Sequence, residues 1–196
     1  ARSEPNGAIW ANQFDNTANR QGHIDTTGPE IWRDTHGRID GFICAVGTGG
    51  TLAGVAQALR EQNPAVKIGL ADPMGSALYS HFQGTGLQAE GESIAEGIGV
   101  SFVPGNLEGL ELDYACRIDD DDALPMIYDL LKNEGISVGG SAGINIAGAV
   151  AMARELGPGH TIVTILCDAG SRYQSKLFNP EYLWKRKLPY PHWIAN

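Results

Sequence analysis

Residues 46–51, Val46-Gly47-Thr48-Gly49-Gly50-Thr51, join a short apolar run to a helical pattern of small residues. A strand that ends in a glycine turn and then opens a helix leaves backbone N–H groups unpaired at the positive end of the helix dipole. No Cβ there holds an anion away. A phosphate group fits such a turn. Thr48 and Thr51 add hydroxyl donors, so the group could be held by neutral dipoles without a basic side chain. The same residues would equally serve a tight turn packing helix on sheet, and a short glycine motif alone does not separate the two readings.

Two further glycine clusters carry the same kind of signal. Val138-Gly139-Gly140-Ser141-Ala142-Gly143 leads into INIAGAVAMARELG, a helical stretch whose alanines and glycines permit close packing. Ser141 at such a helix start reads, on its own, as an N-cap. Glu96-Gly97-Ile98-Gly99 lies in a long irregular stretch from about Asp72 to Leu112, and loops of that length in a compact domain are usually functional or mobile. Asp119-Asp120-Asp121-Asp122 precedes ALPMIYDLLKNEG, which stops at Gly135. A contiguous acid run lacks the spaced ligands of a calcium loop and reads as capping and dipole compensation.

The elements that must position these turns follow from four apolar runs: GFICAV (41–46), KIGLA (67–71), YACRI (114–118) and HTIVTILC (160–167). Unbroken apolar runs belong to strands buried on both faces, and the helical patterns between several of them predict an α/β fold with a mostly parallel sheet. Cys44, Cys116 and Cys167 are odd in number and have no paired spacing, which argues against a zinc site or a disulfide framework. Cys44 and Cys167 each fall in a strand-like run and are expected in the core. The five histidines lack metal-ligand spacing.

At 196 residues the chain has room for one substantial core. With 23 Asp and Glu against 14 Lys and Arg, its formal charge of -9 repels nucleic acid and anionic membrane surfaces, so an anionic ligand must be held by local geometry. No apolar stretch reaches the roughly 20 residues of a spanning helix, and ARSEPNGAIW has no secretory pattern; a soluble, cytoplasmic protein is expected. The tail LWKRKLPYPHWIAN is expected to pack on a neighbouring surface rather than to bind nucleic acid.

The three glycine turns, taken with Gln13-Phe14-Asp15-Asn16-Thr17-Ala18-Asn19 and Thr26-Thr27-Gly28-Pro29-Glu30-Ile31-Trp32, resemble the cysteine synthase (O-acetylserine sulfhydrylase) family. The resemblance continues through Cys167-Asp168-Ala169-Gly170-Ser171-Arg172-Tyr173 and Asn179-Pro180. It implies a pyridoxal 5'-phosphate enzyme of fold-type II, a tryptophan synthase β-like three-layer sandwich that is incomplete in this chain. The family's phosphate cup falls on Gly47, Thr48, Gly49, Gly50 and Thr51. Its serine facing the cofactor's pyridine nitrogen falls on Ser141, its cleft-lining loop glycine on Gly97, and its substrate-carboxylate glutamine on Gln13. A hydroxyl at the ring nitrogen leaves a weaker electron sink than a carboxylate, which suits elimination of a β-leaving group. Thr17 stands where the family usually has proline, so one φ is not fixed and a looser loop is expected.

Family members run to more than three hundred residues, and the matching positions here begin near their middle. The chain is therefore expected to be the C-terminal, larger-domain portion of an enzyme. The lysine that forms the Schiff base is expected outside it, because Lys67, Lys132, Lys176, Lys185 and Lys187 do not stand in the family's lysine context. By itself the chain is expected to be catalytically dead. The implied reaction of the full protein makes L-cysteine from O-acetyl-L-serine and sulfide. A cystathionine β-synthase-like replacement with another nucleophile remains open, since GGSAG resembles that enzyme as well, and so does a non-catalytic remnant that binds a partner. The resemblance further implies a homodimer and an association with serine acetyltransferase.

Overall fold

A computed structural model describes residues 4–195. Helices α1 (Ala18–Asp25) and α2 (Thr27–Asp34) lead into β1 (Gly41–Cys44), α3 (Gly50–Gln62), β2 (Lys67–Pro73) and α4 (Leu78–Phe82). After an irregular segment come β3 (Tyr114–Ile118), α5 (Asp120–Glu134), α6 (Gly140–Leu156) and β4 (Ile162–Val163). Two short helices, α7 (Gln174–Leu177) and α8 (Pro180–Lys185), close the chain. The sheet is parallel throughout, in the order β3-β2-β1-β4, with Gly41 opposite both Lys67 and Ile162. The expected α/β sandwich is present, with a helical layer on each face.

All four residues of β1 are buried, as a strand covered on both faces requires. Phe42, Ile68 and Leu70 point toward α3, where Leu52, Val55 and Leu59 complete one core. Ile43 and Ala71 point toward Ile144, Ala147 and Met152 of α6. Small residues set how closely the layers approach. A side chain at Gly148 would overlap Ala71, and one at Gly143 would lie 2.6 Å from the Ala123 carbonyl of α5. The acid run does what its position suggests: Asp119 caps α5 by accepting from Asp122 N at 2.9 Å, and Gly135 ends the helix with φ of 70°. The tail packs mainly on its own chain, with Leu183 buried and Leu188, Tyr190 and Ile194 gathered against Tyr128 and Leu124 of α5.

Two expectations fail at the end of the last apolar run. β4 pairs with β1 only at Ile162 and Val163, and Cys167 is exposed rather than buried. Side chains take over the ladder beyond Val163. Thr164 Oγ1 donates to Ile43 O at 2.6 Å, while Asn145 Oδ1 accepts from Ala45 N and Asn145 Nδ2 donates to Ile165 O, both at 2.7 Å. The two strands therefore diverge at their C-terminal ends, and Cys167 lies beyond the divergence. Cys44 is buried as expected, and burial pushes its thiol pKa upward.

Candidate functional site

β1 gives way to the 46–51 turn where its neighbours change hands. The path from β1 through α3 to β2 covers one face of the sheet, whereas the path from β3 through α5 and α6 returns along the other face to set β4 against the far side of β1. In an open parallel sheet such a reversal leaves a crevice at the carboxyl ends of the strands, where ligands bind.

The turn is built by glycine for two distinct reasons. Gly49 is the N-cap of α3 with φ of 84°, a conformation costly for any side chain, and a Cβ there would also meet Leu107 at 2.7 Å. Gly50 has an ordinary φ but would thrust a Cβ into the carboxamide of Asn19. Both glycines thus have packing reasons, so the close approach of a ligand is not needed to explain them. Gly47 differs from both. It is half-buried, and a side chain on it would occupy the place of Gly97 O.

Carboxamides hold the turn in place. Asn19 Nδ2 donates to Thr48 Oγ1 and to Gln13 O, each at 2.9 Å. The fully buried Asn106 donates from Nδ2 to Gln13 O and Phe14 O at 2.8 Å and to Thr48 O at 3.2 Å. Gln13 therefore lies beside the turn, with its backbone fixed and the residue exposed. Thr51 Oγ1 is 3.2 Å from His23 Nε2, and His23 Nδ1 is 2.9 Å from Thr27 Oγ1. Burial lowers the pKa of His23, which favours the neutral imidazole. The named partners of the turn carry no fixed charge; Gly50 N makes a long 3.5 Å contact with Thr48 Oγ1, and Gly49 offers no side chain to accept from the other first-turn amides of α3. An anion is what those amides suit.

The other two glycine clusters come to the same place. Gly99 N donates to Val46 O at 2.9 Å, which clamps the 95–99 segment against the turn, and Gly97 adopts φ of 78°. A Cβ at Gly140 would sit 3.3 Å from Ala95, so the start of α6 adjoins that segment as well. Gly139, not Ser141, is the N-cap of α6, and no side chain caps this helix start. Ser141 is buried at the second helical position and is not the helix cap that its residue type suggests. Behind it, Gly139 N donates to Asp168 O at 2.9 Å, and Tyr173 O–H donates to Asp168 Oδ2 at 2.6 Å, which raises the tyrosine pKa. The structure thus sets the Gly47–Thr51 turn, the 95–99 segment that carries Gly97 and the start of α6 that carries Ser141 next to one another, with Gln13 beside the turn.

Thr17 has φ of −63°, the value a proline would impose, so the loop keeps that geometry without the ring. Three of the lysines are engaged in ion pairs. Lys67 pairs with Asp113 at the opposite end of the sheet, Lys185 pairs with Glu181, and Lys176 is bonded to Glu96, which raises the Lys176 pKa. Asn106 and Asn145 are supports that sequence reading missed. Neither stands in a pattern that announces its partners, which lie 58 to 93 residues from Asn106 and 20 and 100 residues from Asn145.

The family model described as "Pyridoxal-phosphate dependent enzyme" matches residues 1–168. The chain is 42% identical over 199 residues to "Cysteine synthase 2" of Schizosaccharomyces pombe, covering 95% of this chain and 50% of that protein. It is 46% identical over 186 residues to "Cysteine synthase 1" of Emericella nidulans, covering 92% and 50%. Among solved structures, an O-acetylserine dependent cystathionine beta-synthase from Helicobacter pylori superposes with a TM-score of 0.81 at 34% identity, covering 90% of this chain and 55% of that one. The chain spans about half the length of the curated relatives it matches.

Proposed function

The chain belongs to the pyridoxal-phosphate dependent enzymes of the cysteine synthase family, and from that premise we propose that it is the C-terminal portion of an enzyme making L-cysteine from O-acetyl-L-serine and sulfide. The observation that supports the reading is that two helices, α3 and α6, start from glycine N-caps without side-chain caps where the 46–51 turn, the 95–99 segment and the start of α6 adjoin. The residues present fit the cofactor. Backbone amides of Gly47–Thr51 and the hydroxyls of Thr48 and Thr51 would hold its phosphate, and Ser141 would meet its ring nitrogen. When bound, pyridoxal phosphate supplies an electron sink for loss of an α-proton and a β-leaving group.

The chain's own groups then have separable tasks. Thr48 Oγ1 already accepts from Asn19, which leaves its hydrogen free to donate to an anion. A neutral hydroxyl at Ser141 donates a hydrogen bond without imposing a positive charge on the ring. Gln13, fixed by Asn19 and Asn106, would orient the substrate carboxylate at the crevice edge. The amine that bonds the cofactor is assigned to a lysine outside these 196 residues, because Lys67, Lys132, Lys176, Lys185 and Lys187 do not stand in the family's lysine context. Homodimer formation, binding of serine acetyltransferase and a cytoplasmic location belong to the same proposal.

The test uses the full-length protein, stripped of cofactor, titrated with pyridoxal phosphate and assayed with O-acetyl-L-serine and either sulfide or homocysteine. Cysteine formation that prefers sulfide is expected. A preference for homocysteine would favour the second reading, a cystathionine β-synthase-like enzyme, which the likeness to the Helicobacter pylori structure supports. Failure to bind the cofactor at all would favour a partner-binding remnant.

A further inference from the structure

Asn145 sits where the sheet splits. It is 1% exposed, yet its carboxamide meets two strands: Oδ1 accepts from Ala45 N and Nδ2 donates to Ile165 O, both at 2.7 Å. Continuing the register of Gly41 with Ile162 and Phe42 with Val163 would bring Cys44 opposite Ile165 and extend the ladder. A side chain from α6 fills that place instead, and Thr164 Oγ1 satisfies Ile43 O beside it. The carboxamide acts as a spacer that satisfies both strands while holding them apart.

Ser141 lies four residues before Asn145 on α6, so the two share a helix face one turn apart. Ala45 is two residues before Gly47. One side chain therefore fixes the end of β1, the end of β4 and the first turn of α6 relative to one another. We propose that Asn145 is a positioning residue, and that its bridge between Ala45 and Ile165 sets the spacing between the Gly47–Thr51 turn and Ser141. This inference rests on the reading that both groups hold one pyridoxal phosphate molecule. A buried carboxamide with both ends engaged by backbone favours one placement, because a shift leaves its own N–H or C=O, or one of its part-buried partners, unpaired.

The test compares Asn145→Ala and Thr164→Val in the full-length protein. Each removes hydrogen bonding from the same seam, but only the first releases α6 from it. Both variants are expected to lose thermal stability. Only Asn145→Ala should weaken pyridoxal phosphate binding, by roughly tenfold to a hundredfold as loss of an outer-shell support does, and change the absorption and emission of the bound cofactor. In cofactor-free protein, amide hydrogen exchange should rise together in residues 44–50 and 139–143 for Asn145→Ala, and should leave 139–143 unchanged for Thr164→Val. Should Asn145→Ala not fold, Asn145→Thr, whose hydroxyl can satisfy one of the two backbone groups, is read by the same criteria. Wild-type affinity and spectrum in a folded Asn145 variant, or an equal change in Thr164→Val, would overturn the proposal. If the wild-type protein does not bind pyridoxal phosphate, the functional reading fails, and the exchange measurement still decides whether Asn145 couples the two segments.

Discussion

Gly97 O stands where a side chain on Gly47 would have to go, so the 95–99 segment closes against the turn only because residue 47 has none. Gly99 N to Val46 O, at 2.9 Å, is the hydrogen bond that this closure permits.

Gly47→Ala should push the two segments apart and break that bond. The expected outcome in the full-length protein is a loss of about 1–3 kcal/mol of stability from overpacking together with weaker pyridoxal phosphate binding. Thermal unfolding and a titration of cofactor-free protein measure the two effects. Unchanged unfolding and unchanged binding would show that the contact yields freely.

Gly50 faces Asn19 rather than the open crevice, which makes its substitution a folding defect first. Asn19→Ala should therefore cost less in a Gly50→Ala background than in the wild type, with a coupling of about 0.5–3 kcal/mol. A double-mutant cycle by denaturant unfolding gives the number. Strict additivity would count against the collision.

Ser141→Ala removes a hydroxyl that caps nothing, since Gly139 is the N-cap of α6. The stability change should fall well short of the about 1 kcal/mol that loss of a serine cap costs. The spectrum of the bound cofactor should change all the same. A loss of full cap size with an unaltered spectrum would return Ser141 to a structural role.

Asp113 joins β2, β3 and α3 at the end of the sheet away from the crevice. Burial works against its charge, but Ile68 N at 2.9 Å, Lys67 at 3.0 Å and Arg60 at 2.7 Å together hold its pKa below the usual carboxylate value. A depressed folded-state pKa contributes stability that is present above the unfolded value, about 3.9 for aspartate, and is lost as pH falls through the folded value. Asp113→Asn should be less stable than wild type at neutral pH, and the difference should shrink as the medium is acidified below that range. Parallel stability curves for the two proteins would contradict the assignment.

Thr17 already holds φ of −63°, so Thr17→Pro should stabilise the protein by about 0.4–1 kcal/mol through the unfolded chain. A raised midpoint in denaturant with an unchanged slope is the expected result. Destabilisation would mean that Asn16 cannot take the extended conformation a following proline demands.

How much of this was legible in the residues depended on the range of the interactions. The strand, glycine turn and helix at 41–62 could be read directly, because φ at Gly49 and the apolar run before it are local properties. The same holds for Asp119 capping α5 three residues on. The truncation of β4 could not be read, because HTIVTILC is as apolar as a strand should be and what ends its pairing is a carboxamide on α6. Cys167 was misplaced for the same reason. At the site, residue types pointed to an anion at 47–51, but the reason Gly50 has no side chain lies in Asn19, and the support under Gln13 and Thr48 lies in Asn106. Those partners are specified only by the folded chain.

The placement of β4 beside β1 also governs when the molecule can be completed. Thr164 and Ile43, which meet across the seam, are separated by 121 residues. At ribosomal rates of about 5–20 residues per second, roughly 6–24 s pass between the synthesis of one strand and the other. During that interval β1, an apolar strand already able to pair with β2, lacks the neighbour that its other edge has in the folded chain. The reversal of strand order that makes room for a ligand thus also leaves one edge of β1 without its partner until Ile162 is made.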